Sequence, residues 1–255
     1  MRIIAVANQK GGVGKTATVA SLAAALVAQR QRVLVVDDDP QGNLSLALGV
    51  TAAPEDRTTY DLLLDPQAAL ADCAVPVPWG KAALVPTDVR LAAAEVELAS
   101  ASDRLLRLRG KLHRRLPFDY VLIDTPPSLG FLTLNALAAA DAVLIPVQCS
   151  YLAMQGLRQL LETIEAVKAH GNPHLRTLGV LLTMYDPRTL HTQQVEERLL
   201  AHFGALVFET RIRRSVVFDY ATVAGEPVVI HRPDSPGAQA YVQLAREVMA
   251  RAEDA

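Results

Sequence analysis

The sequence has few cysteines, few aromatic residues and no long apolar segment. Its 255 residues include two cysteines, Cys73 and Cys149, one tryptophan and 5% aromatic residues in all. Two cysteines without metal-ligand spacing exclude a disulfide-rich scaffold, and we interpret both as buried thiols in a reducing compartment. The longest apolar run, 136–147, is interrupted by Asp141 and is too short to span a bilayer. We therefore expect a cytoplasmic protein without membrane contact.

An excess of charge of one sign is also lacking. With 25 lysine and arginine residues against 27 aspartate and glutamate residues, the formal net charge is −2 at pH 7. This balance excludes a uniformly basic surface, so binding of nucleic acid would require a local basic patch. A composition of 51% hydrophobic and 20% charged residues is typical of a globular protein. The length and the absence of a low-complexity linker favour one domain over residues 1–255.

Short apolar segments alternate with longer segments of helical periodicity. This alternation predicts an α/β fold, a mostly parallel twisted β-sheet with helices on both faces. Strands are predicted at 3–7, 33–37, 83–86, 120–124, 142–147, 178–183 and 206–209. Helices are predicted after Lys15 and over 92–116, 156–170, 192–202 and 237–252. We interpret the proline-containing segment 75–80 as a loop or edge hairpin within the domain.

The most informative segment is a glycine-rich loop between the first predicted strand and the first predicted helix. It is Asn8-Gln9-Lys10-Gly11-Gly12-Val13-Gly14-Lys15-Thr16. Its glycines allow a tight turn in which backbone N–H groups face phosphate oxygens, and the helix N-terminus adds a favourable dipole. Lys15 supplies positive charge for the β- and γ-phosphates, and Thr16 supplies a hydroxyl for Mg²⁺. This context predicts a P-loop site for a nucleoside triphosphate.

Two acidic segments are predicted to complete the site. Asp37, Asp38 and Asp39 lie at the carboxyl end of one predicted strand, and Asp124 ends another. Because ligands of open α/β sheets bind outside the carboxyl ends of the strands, we expect these carboxylates beside the loop. Hydrolysis needs carboxylates that hold the metal and orient a water, and these two segments supply them. We interpret Asp38 as a solvated loop carboxylate, because an unpaired charge is seldom buried.

The loop departs from the ordinary P-loop pattern, because Gln9 stands where that pattern has glycine and Lys10 follows it. The segment 10–16 resembles the deviant Walker A box of the ParA/MinD superfamily, in which a second lysine reaches the partner subunit's nucleotide. The segment 37–43 is similar to the switch I box of that superfamily, which usually has a hydrophobic residue between two aspartates. The segment 119–130 looks like Walker B with its switch II loop. The resemblance implies an ATPase with ATP and Mg²⁺ as cofactors.

The resemblance also implies a role for each matching residue. Catalysis depends on Lys10, Lys15, Asp39 and Asp124, with Asp39 positioning the attacking water. Asp37 is expected near the metal or the loop lysine. The implied metal site consists of Thr16, Asp37, Asp39 and Asp124, and the implied nucleotide contacts are Lys10, Gly11, Gly12, Val13, Gly14, Lys15, Thr16 and Ala17.

The resemblance covers nearly the whole chain and looks closest to the chromosomal ParA, or Soj, branch. It starts at the first strand, so we expect no N-terminal helix-turn-helix domain. Soj-like proteins form homodimers with ATP and bind double-stranded DNA of the nucleoid without sequence preference. A ParB-like partner stimulates their hydrolysis. The resemblance thus implies a DNA-partitioning ATPase for a chromosome or plasmid, slow without its partner.

The match to the family's DNA-contacting residues is mixed. Arg188 corresponds to one family arginine, whereas the second falls at Val217. Nearby candidates that would replace it are Arg211, Arg213 and Arg214. We interpret the basic residues between 104 and 115 as a solvated face.

Three other functions remain open from the sequence. A MinD-like membrane ATPase needs a C-terminal amphipathic helix with a basic face, whereas acidic residues match basic ones over 241–255. An iron–sulfur reductase of the nitrogenase iron-protein type needs a cluster cysteine after the Walker B strand, and neither cysteine lies there. An ATPase that positions another cargo on DNA is not distinguished by the sequence.

Overall fold

The computed structural model describes residues 1–53, 55–150 and 153–253. In this part of the chain, eight strands form one sheet in the order β3-β4-β2-β5-β1-β6-β7-β8. All neighbouring strands are parallel except the edge pair β3 and β4. The predicted α/β class is therefore confirmed. The strands are β1 Arg2–Val6, β2 Val33–Asp37, β3 Val75–Pro76, β4 Ala82–Val85, β5 Tyr120–Asp124, β6 Ala142–Gln148, β7 Arg176–Tyr185 and β8 Val207–Arg213.

Helices cover both faces of this sheet. In chain order the described α-helices are α1 Lys15–Ala28, α2 Asn43–Ala47, α3 Thr59–Leu64, α4 Leu70–Cys73, α5 Leu91–Leu98, α6 Arg107–Leu112, α7 Phe131–Ala139, α8 Ala153–His170, α9 Leu190–Phe203, α10 Val217–Ala224, α11 Val228–His231 and α12 Pro236–Glu253. None of the helices described combines the length and the apolar character that a bilayer crossing requires.

The sheet separates two apolar cores, because successive side chains of a strand point to opposite faces. On one face, Ile3 and Ala5 pack with residues of α3–α9. On the other face, Ile4 and Val6 pack with residues of α1, α2 and α10–α12. Every residue of β2 and β5 is buried, as expected for strands that are covered on both sides. Since β1, β2 and β5 are parallel neighbours, their carboxyl ends meet at one edge of the sheet.

The predicted helix over 92–116 is wrong, because the structure has two shorter helices, α5 and α6, separated by residues 99–106. The side chain of Asn135, on α7, satisfies backbone groups at this break. Its amide donates to the Arg104 carbonyl oxygen at 2.6 Å, and its oxygen accepts from the Leu108 N–H at 3.3 Å. These partners are distant in sequence, so helical periodicity does not reveal the break.

The structure at one edge of the sheet agrees with the prediction from the sequence. The segment 75–80 contains β3 and the turn into β4, which confirms the edge hairpin. The ladder between β7 and β8 at the opposite edge is irregular, with two register shifts.

Arg251 of α12 compensates for the irregular ladder between β7 and β8. Its guanidinium donates to the carbonyl oxygens of Leu178, Leu206 and Val207 at 2.9, 3.2 and 3.1 Å. It also stacks over the ring of Phe208, with 4.1 Å from the guanidinium carbon to the ring centroid. A single side chain thus ties α12 to both strands.

We expect Arg251→Ala to lower the free energy of unfolding by about 2–4 kcal/mol, because it leaves carbonyl groups unpaired and removes a cation–π contact. Urea denaturation followed by circular dichroism measures the loss. Arg246→Ala is the matched control, because Arg246 lies on the same helix and is exposed. Equal stability of the two variants would contradict this role for Arg251.

Candidate functional site

The glycine-rich loop joins β1 to α1 and exposes the N-terminus of α1. Gly12 and Gly14 have φ of 71° and 85°, left-handed conformations that favour glycine. Gly14 is the N-cap of α1, and no side chain in the described part of the chain caps this end of the helix. The free N–H groups and the helix dipole therefore face the space around the loop, which is the geometry that phosphate binding requires.

Two buried side chains brace the loop from neighbouring strands. The amide of Asn8 donates to the Pro146 carbonyl at 2.7 Å, and its oxygen accepts from the Lys10 N–H at 2.9 Å. The hydroxyl of Thr183 donates to the Val13 carbonyl at 2.8 Å. Sequence reasoning missed these two residues as parts of the site. Their signal is a polar residue at the carboxyl end of an apolar strand, the same signal that identified the aspartates.

Lys15 is buried beside two of the predicted carboxylates. Its residue exposure is 7%. Burial lowers the pKa of Lys15, whereas the nearby carboxylates of Asp124 and Asp39 raise it. The fold therefore brings together three of the four predicted catalytic residues at the loop.

Asp37 anchors helix α2 to the site. It lies opposite Asp124 in the register of β2 and β5. Its Oδ2 accepts from the backbone N–H and the hydroxyl of Ser45 at 2.8 and 2.6 Å, and its Oδ1 accepts from the Asp39 N–H at 3.4 Å. Burial raises the pKa of Asp37 to about 6, although the bonds from Ser45 lower it. Both oxygens thus have protein donors, and the metal contact predicted for Asp37 stays a prediction.

Asp39 lines a cavity between the two acidic segments. The cavity has a volume of about 380 Å³, and Gln41 and Pro127 are among its other lining residues. One carboxylate oxygen of Asp39 accepts from the Gln41 N–H at 3.0 Å. A carboxylate held at the wall of a cavity can orient a water or take its proton.

Asp38 is not the solvated carboxylate that we predicted. Its exposure is 0%, and neither carboxylate oxygen has a hydrogen-bond partner among the residues that the structure describes. Its backbone N–H donates to the Asp124 carbonyl at 3.0 Å, which extends the ladder between β2 and β5 and draws position 38 into the interior. Burial raises the pKa of Asp38 well above its usual range, and the neighbouring carboxylates raise it further.

Asp124 and Thr16 fit a magnesium ion that is held mainly by phosphate oxygens. The buried carboxylate oxygens of Asp124 lack a geometrically acceptable hydrogen bond. Burial and Asp37 raise the pKa of Asp124 well above its usual range, whereas the nearby Thr16 hydroxyl and Lys15 lower it. No group of three or more acidic, histidine or cysteine side chains among the described residues forms a metal site. Mg²⁺ in phosphate sites takes one or two protein ligands and fills its shell with water and phosphate.

A second cavity, of about 520 Å³, opens beside the first turn of α1. The ring of Phe218 packs edge-on against Tyr241, with centroids 6.0 Å apart, and the hydroxyls of Tyr241 and Thr18 are 3.1 Å apart. Of its lining, sequence reasoning named Gly14 and Ala17 as nucleotide contacts and Arg213 and Arg214 as DNA contacts. The other lining residues are Thr183, Met184, Ile212, Ser215, Val216, Phe218, Asp219, Thr222 and Tyr241.

Lys10 lies on the outer side of the loop, apart from Lys15. It is exposed, and its ammonium donates to the side-chain oxygens of Gln148 and Ser150 at 3.3 Å each. Both partners are neutral: Gln148 is the last residue of β6, and Ser150 follows that strand. Its positive charge is therefore held at the rim of the site by groups that do not neutralise it.

The predicted DNA-binding arginines differ in exposure. Arg188 is 86% exposed, and its guanidinium donates to both oxygens of Asp186, whose pKa it lowers to about 2. Arg213 and Arg214 are also exposed. Val217, where the family has its second arginine, is partly buried against the core around α1.

Other basic residues hold the fold together. Arg211 is 18% exposed, pairs with Glu196 at 2.8 Å and donates to the Phe208 carbonyl. Arg109 donates to the Gly171 carbonyl, and Lys111 donates to the carbonyls of residues 65, 66 and 68. The interpretation of 104–115 as a solvated face is therefore wrong for Arg109 and Lys111, whose charges meet the free carbonyls of neighbouring turns.

Known proteins share this arrangement. A family model described as an AAA domain matches residues 1–177. The chromosome-partitioning ATPase Soj of Thermus thermophilus is 50% identical, and the match covers 100% of this chain and 98% of that protein. The chain belongs to the ParA/MinD superfamily. The chromosome partitioning protein ParA of Caulobacter vibrioides, 45% identical over 100% of this chain and 96% of its own length, lies close to it as well.

A solved structure of the same fold contains nucleotide and metal. Cobyrinic acid a,c-diamide synthase of Mycobacterium smegmatis with a bound ATP analogue and magnesium has a TM-score of 0.86 and 39% identity, covering 99% of this chain and 96% of that one. The ParA and Soj relatives are more similar in sequence than this protein. The chain is accordingly a ParA-type partitioning ATPase, with ATP and Mg²⁺ as its cofactors.

The two cysteines are buried, as the sequence predicts, and neither forms a disulfide. Burial raises the pKa of each thiol to about 11. Cys73 ends α4 and Cys149 follows β6, so neither follows β5, the strand after which an iron–sulfur protein of the nitrogenase type needs its cluster cysteine. The iron–sulfur alternative is therefore not favoured.

Proposed function

We propose that this ParA-type ATPase is a DNA-partitioning switch in which ATP joins two subunits. The dimer binds nucleoid DNA without sequence preference, and hydrolysis stimulated by a ParB-like partner releases it. The observation that carries this proposal is the position of Lys10, an exposed cation at the rim of a site that already contains Lys15.

One lysine is enough for the phosphates of a P-loop, and Lys15 is the one that is buried beside Asp39 and Asp124. Lys10 has neutral partners and solvent around it. An ammonium at this place gains most when it meets the negative charge of a second triphosphate, because opposite charges attract strongly once water is excluded. The nucleotide of one subunit would then hold the Lys10 of the other.

Hydrolysis in this proposal depends on Asp39, which orients water in the cavity between the acidic segments, and on the Thr16–Asp124 pair for Mg²⁺. When bound, Mg²⁺ neutralises the phosphates. Lys15 binds the β- and γ-phosphates. The nucleoside lies in the cavity lined by Phe218 and Tyr241, which adjoins the loop.

Dimerisation would control DNA binding through the number of phosphate contacts. Arg188, Arg213 and Arg214 are the exposed arginines of the predicted set, and a dimer presents each of them twice. Each neutralised phosphate releases counterions, so a doubled patch has about twice the salt dependence and a much higher affinity. Arg211 is left out of this surface because its side chain is only 18% exposed and is bonded to both Glu196 and the Phe208 carbonyl.

We expect wild-type protein to bind duplex DNA with ATP but not with ADP, and Arg188→Ala to weaken this binding. Loss of two contacts per dimer should make the negative slope of log affinity against log salt shallower by about 1.8. Fluorescence anisotropy across a salt series measures the slope. The matched control is Arg115→Ala, another exposed arginine. An unchanged slope for Arg188→Ala would contradict its role.

Arg213 and Arg214 need a further control in the same assay, because both line the proposed nucleoside cavity. Their ATP affinities have to be measured before weaker DNA binding is assigned to lost phosphate contacts.

The membrane alternative has less support. The apolar side chains of α12 are turned into the core, and Tyr241, Leu244 and Val248 are among those that are fully buried. A helix whose apolar face already packs against α1 does not offer that face to lipid.

A further inference from the structure

Two carboxyl groups in the interior have no part in the proposed chemistry. Asp38 is fully buried, and within residues 1–53, 55–150 and 153–253 neither of its oxygens has a hydrogen-bond partner. Glu95, on α5, also has one buried oxygen without a partner. The groups that act most strongly on Asp38 are all carboxylates, Glu95 among them. A buried polar group without a partner is costly, so its presence asks for an explanation.

Glu95 lies between the two acidic segments. Its carboxylate leaves no room for a side chain at Gly130, which precedes α7. It also lines the cavity that contains Asp39 and Pro127. The buried Asp38 carboxyl and the buried oxygen of the half-exposed Glu95 thus lie on either side of the loop that carries Asp39, from β2 and from α5.

The free-energy cost of burying the unpartnered Asp38 carboxyl destabilises the observed conformation of this loop. Its backbone is fixed by the bond from its N–H to Asp124, so its side chain stays in the interior as long as residues 38–41 keep the observed arrangement. The switch I box that segment 37–43 resembles usually has a hydrophobic residue at this position, and burial of a hydrophobic residue would not have this cost. An arrangement that gave the carboxyl a donor or water would be favoured over the observed one.

We propose that Asp38 is a positioning residue of the ATPase, whose buried and unpartnered carboxyl destabilises the observed arrangement of residues 38–41 and so allows Asp39 to move during turnover. This inference rests on the proposed role of Asp39 in hydrolysis.

The test compares Asp38→Asn and Asp38→Ala with the wild type. Both changes remove the buried carboxyl without adding volume, and Asn can donate to a neighbouring carboxylate. We expect the thermal midpoint to rise by about 2–4 °C. Without nucleotide, hydrogen exchange of the Gln41 and Gly42 amides, both bonded to Asp39, should slow at least threefold. ATP affinity should stay within about twofold while kcat falls at least about fivefold.

Trp79→Phe is the matched control. It also removes a buried polar atom without a partner among the described residues. Trp79 lies in the turn before β4, at the amino ends of the parallel strands, whereas the phosphate loop lies at their carboxyl ends. Its effect should be confined to the midpoint, with exchange at Gln41 and Gly42 and kcat unchanged.

A midpoint that does not rise in either Asp38 variant would overturn the inference, and so would a rise with unchanged exchange and kcat. Failure of the underlying role of Asp39 is recognised separately. In that case Asp39→Ala keeps its hydrolysis rate, although the Asp38 variants still slow exchange in the loop.

Discussion

Lys15→Ala should lose ATP affinity by about 100-fold or more, equivalent to roughly 3 kcal/mol. The ammonium is the buried cation at the phosphate loop; burial lowers the pKa of Lys15, and the carboxylates of Asp124 and Asp39 oppose this lowering. Without it, the β- and γ-phosphates would meet two carboxylates and only backbone N–H groups. Isothermal titration with ATP and Mg²⁺ measures the loss.

Two controls accompany this variant. Lys81→Ala removes an exposed lysine from the turn before β4 and should leave the affinity unchanged. Loss of the cation leaves buried carboxylates without compensation, which destabilises the fold. Circular dichroism therefore has to show that Lys15→Ala is still folded before its ATP affinity is interpreted. A dissociation constant within threefold of the wild type would show that Lys15 does not bind the phosphates.

Asp39→Ala should separate binding from hydrolysis. We expect ATP affinity within about threefold of the wild type and a rate of hydrolysis reduced by about 100-fold or more, because a carboxylate that orients or deprotonates water contributes this much. Asp39 has no ion pair among the described residues and is bonded only within its own loop. Its removal therefore leaves Lys15 and the phosphate loop in place. Single-turnover hydrolysis and titration with ATP measure the two effects.

Asp234→Ala, which removes an exposed carboxylate before α12, is the control for lost negative charge. Equal loss of ATP affinity and of hydrolysis in Asp39→Ala would assign Asp39 to binding. Unreduced hydrolysis would remove it from the reaction altogether.

The central strands could be predicted from the sequence because their signal is local. β2 and β5 have the predicted bounds, and β1 differs by one residue, since strands buried on both faces are short apolar runs. The helix break at 99–106 could not be predicted, because Asn135 supplies its hydrogen bonds from α7. Short helices such as α2 and α10 have too few turns to show a period.

The site divides in the same way. Lys15, Asp39 and Asp124 were found because a glycine-rich loop and the ends of two strands mark them in the sequence. The cavity that we propose for the nucleoside could not be predicted, because Phe218 and Tyr241 meet only after α10 and α12 have packed beside α1. Asp38 was misjudged for the opposite reason. An isolated charge is usually exposed, but the pairing of β2 with β5 continues one residue past β2 and places Asp38 in the interior.

The central claim is that a lysine from each subunit stabilises the nucleotide of the other. Size-exclusion chromatography with light scattering tests it on Asp39→Ala, in which ATP is preserved, and on the double variant Lys10→Ala/Asp39→Ala. We predict that Asp39→Ala is dimeric with ATP and Mg²⁺ and monomeric with ADP, and that the double variant stays monomeric although it binds ATP. A double variant that dimerises with ATP as readily as Asp39→Ala would contradict the account.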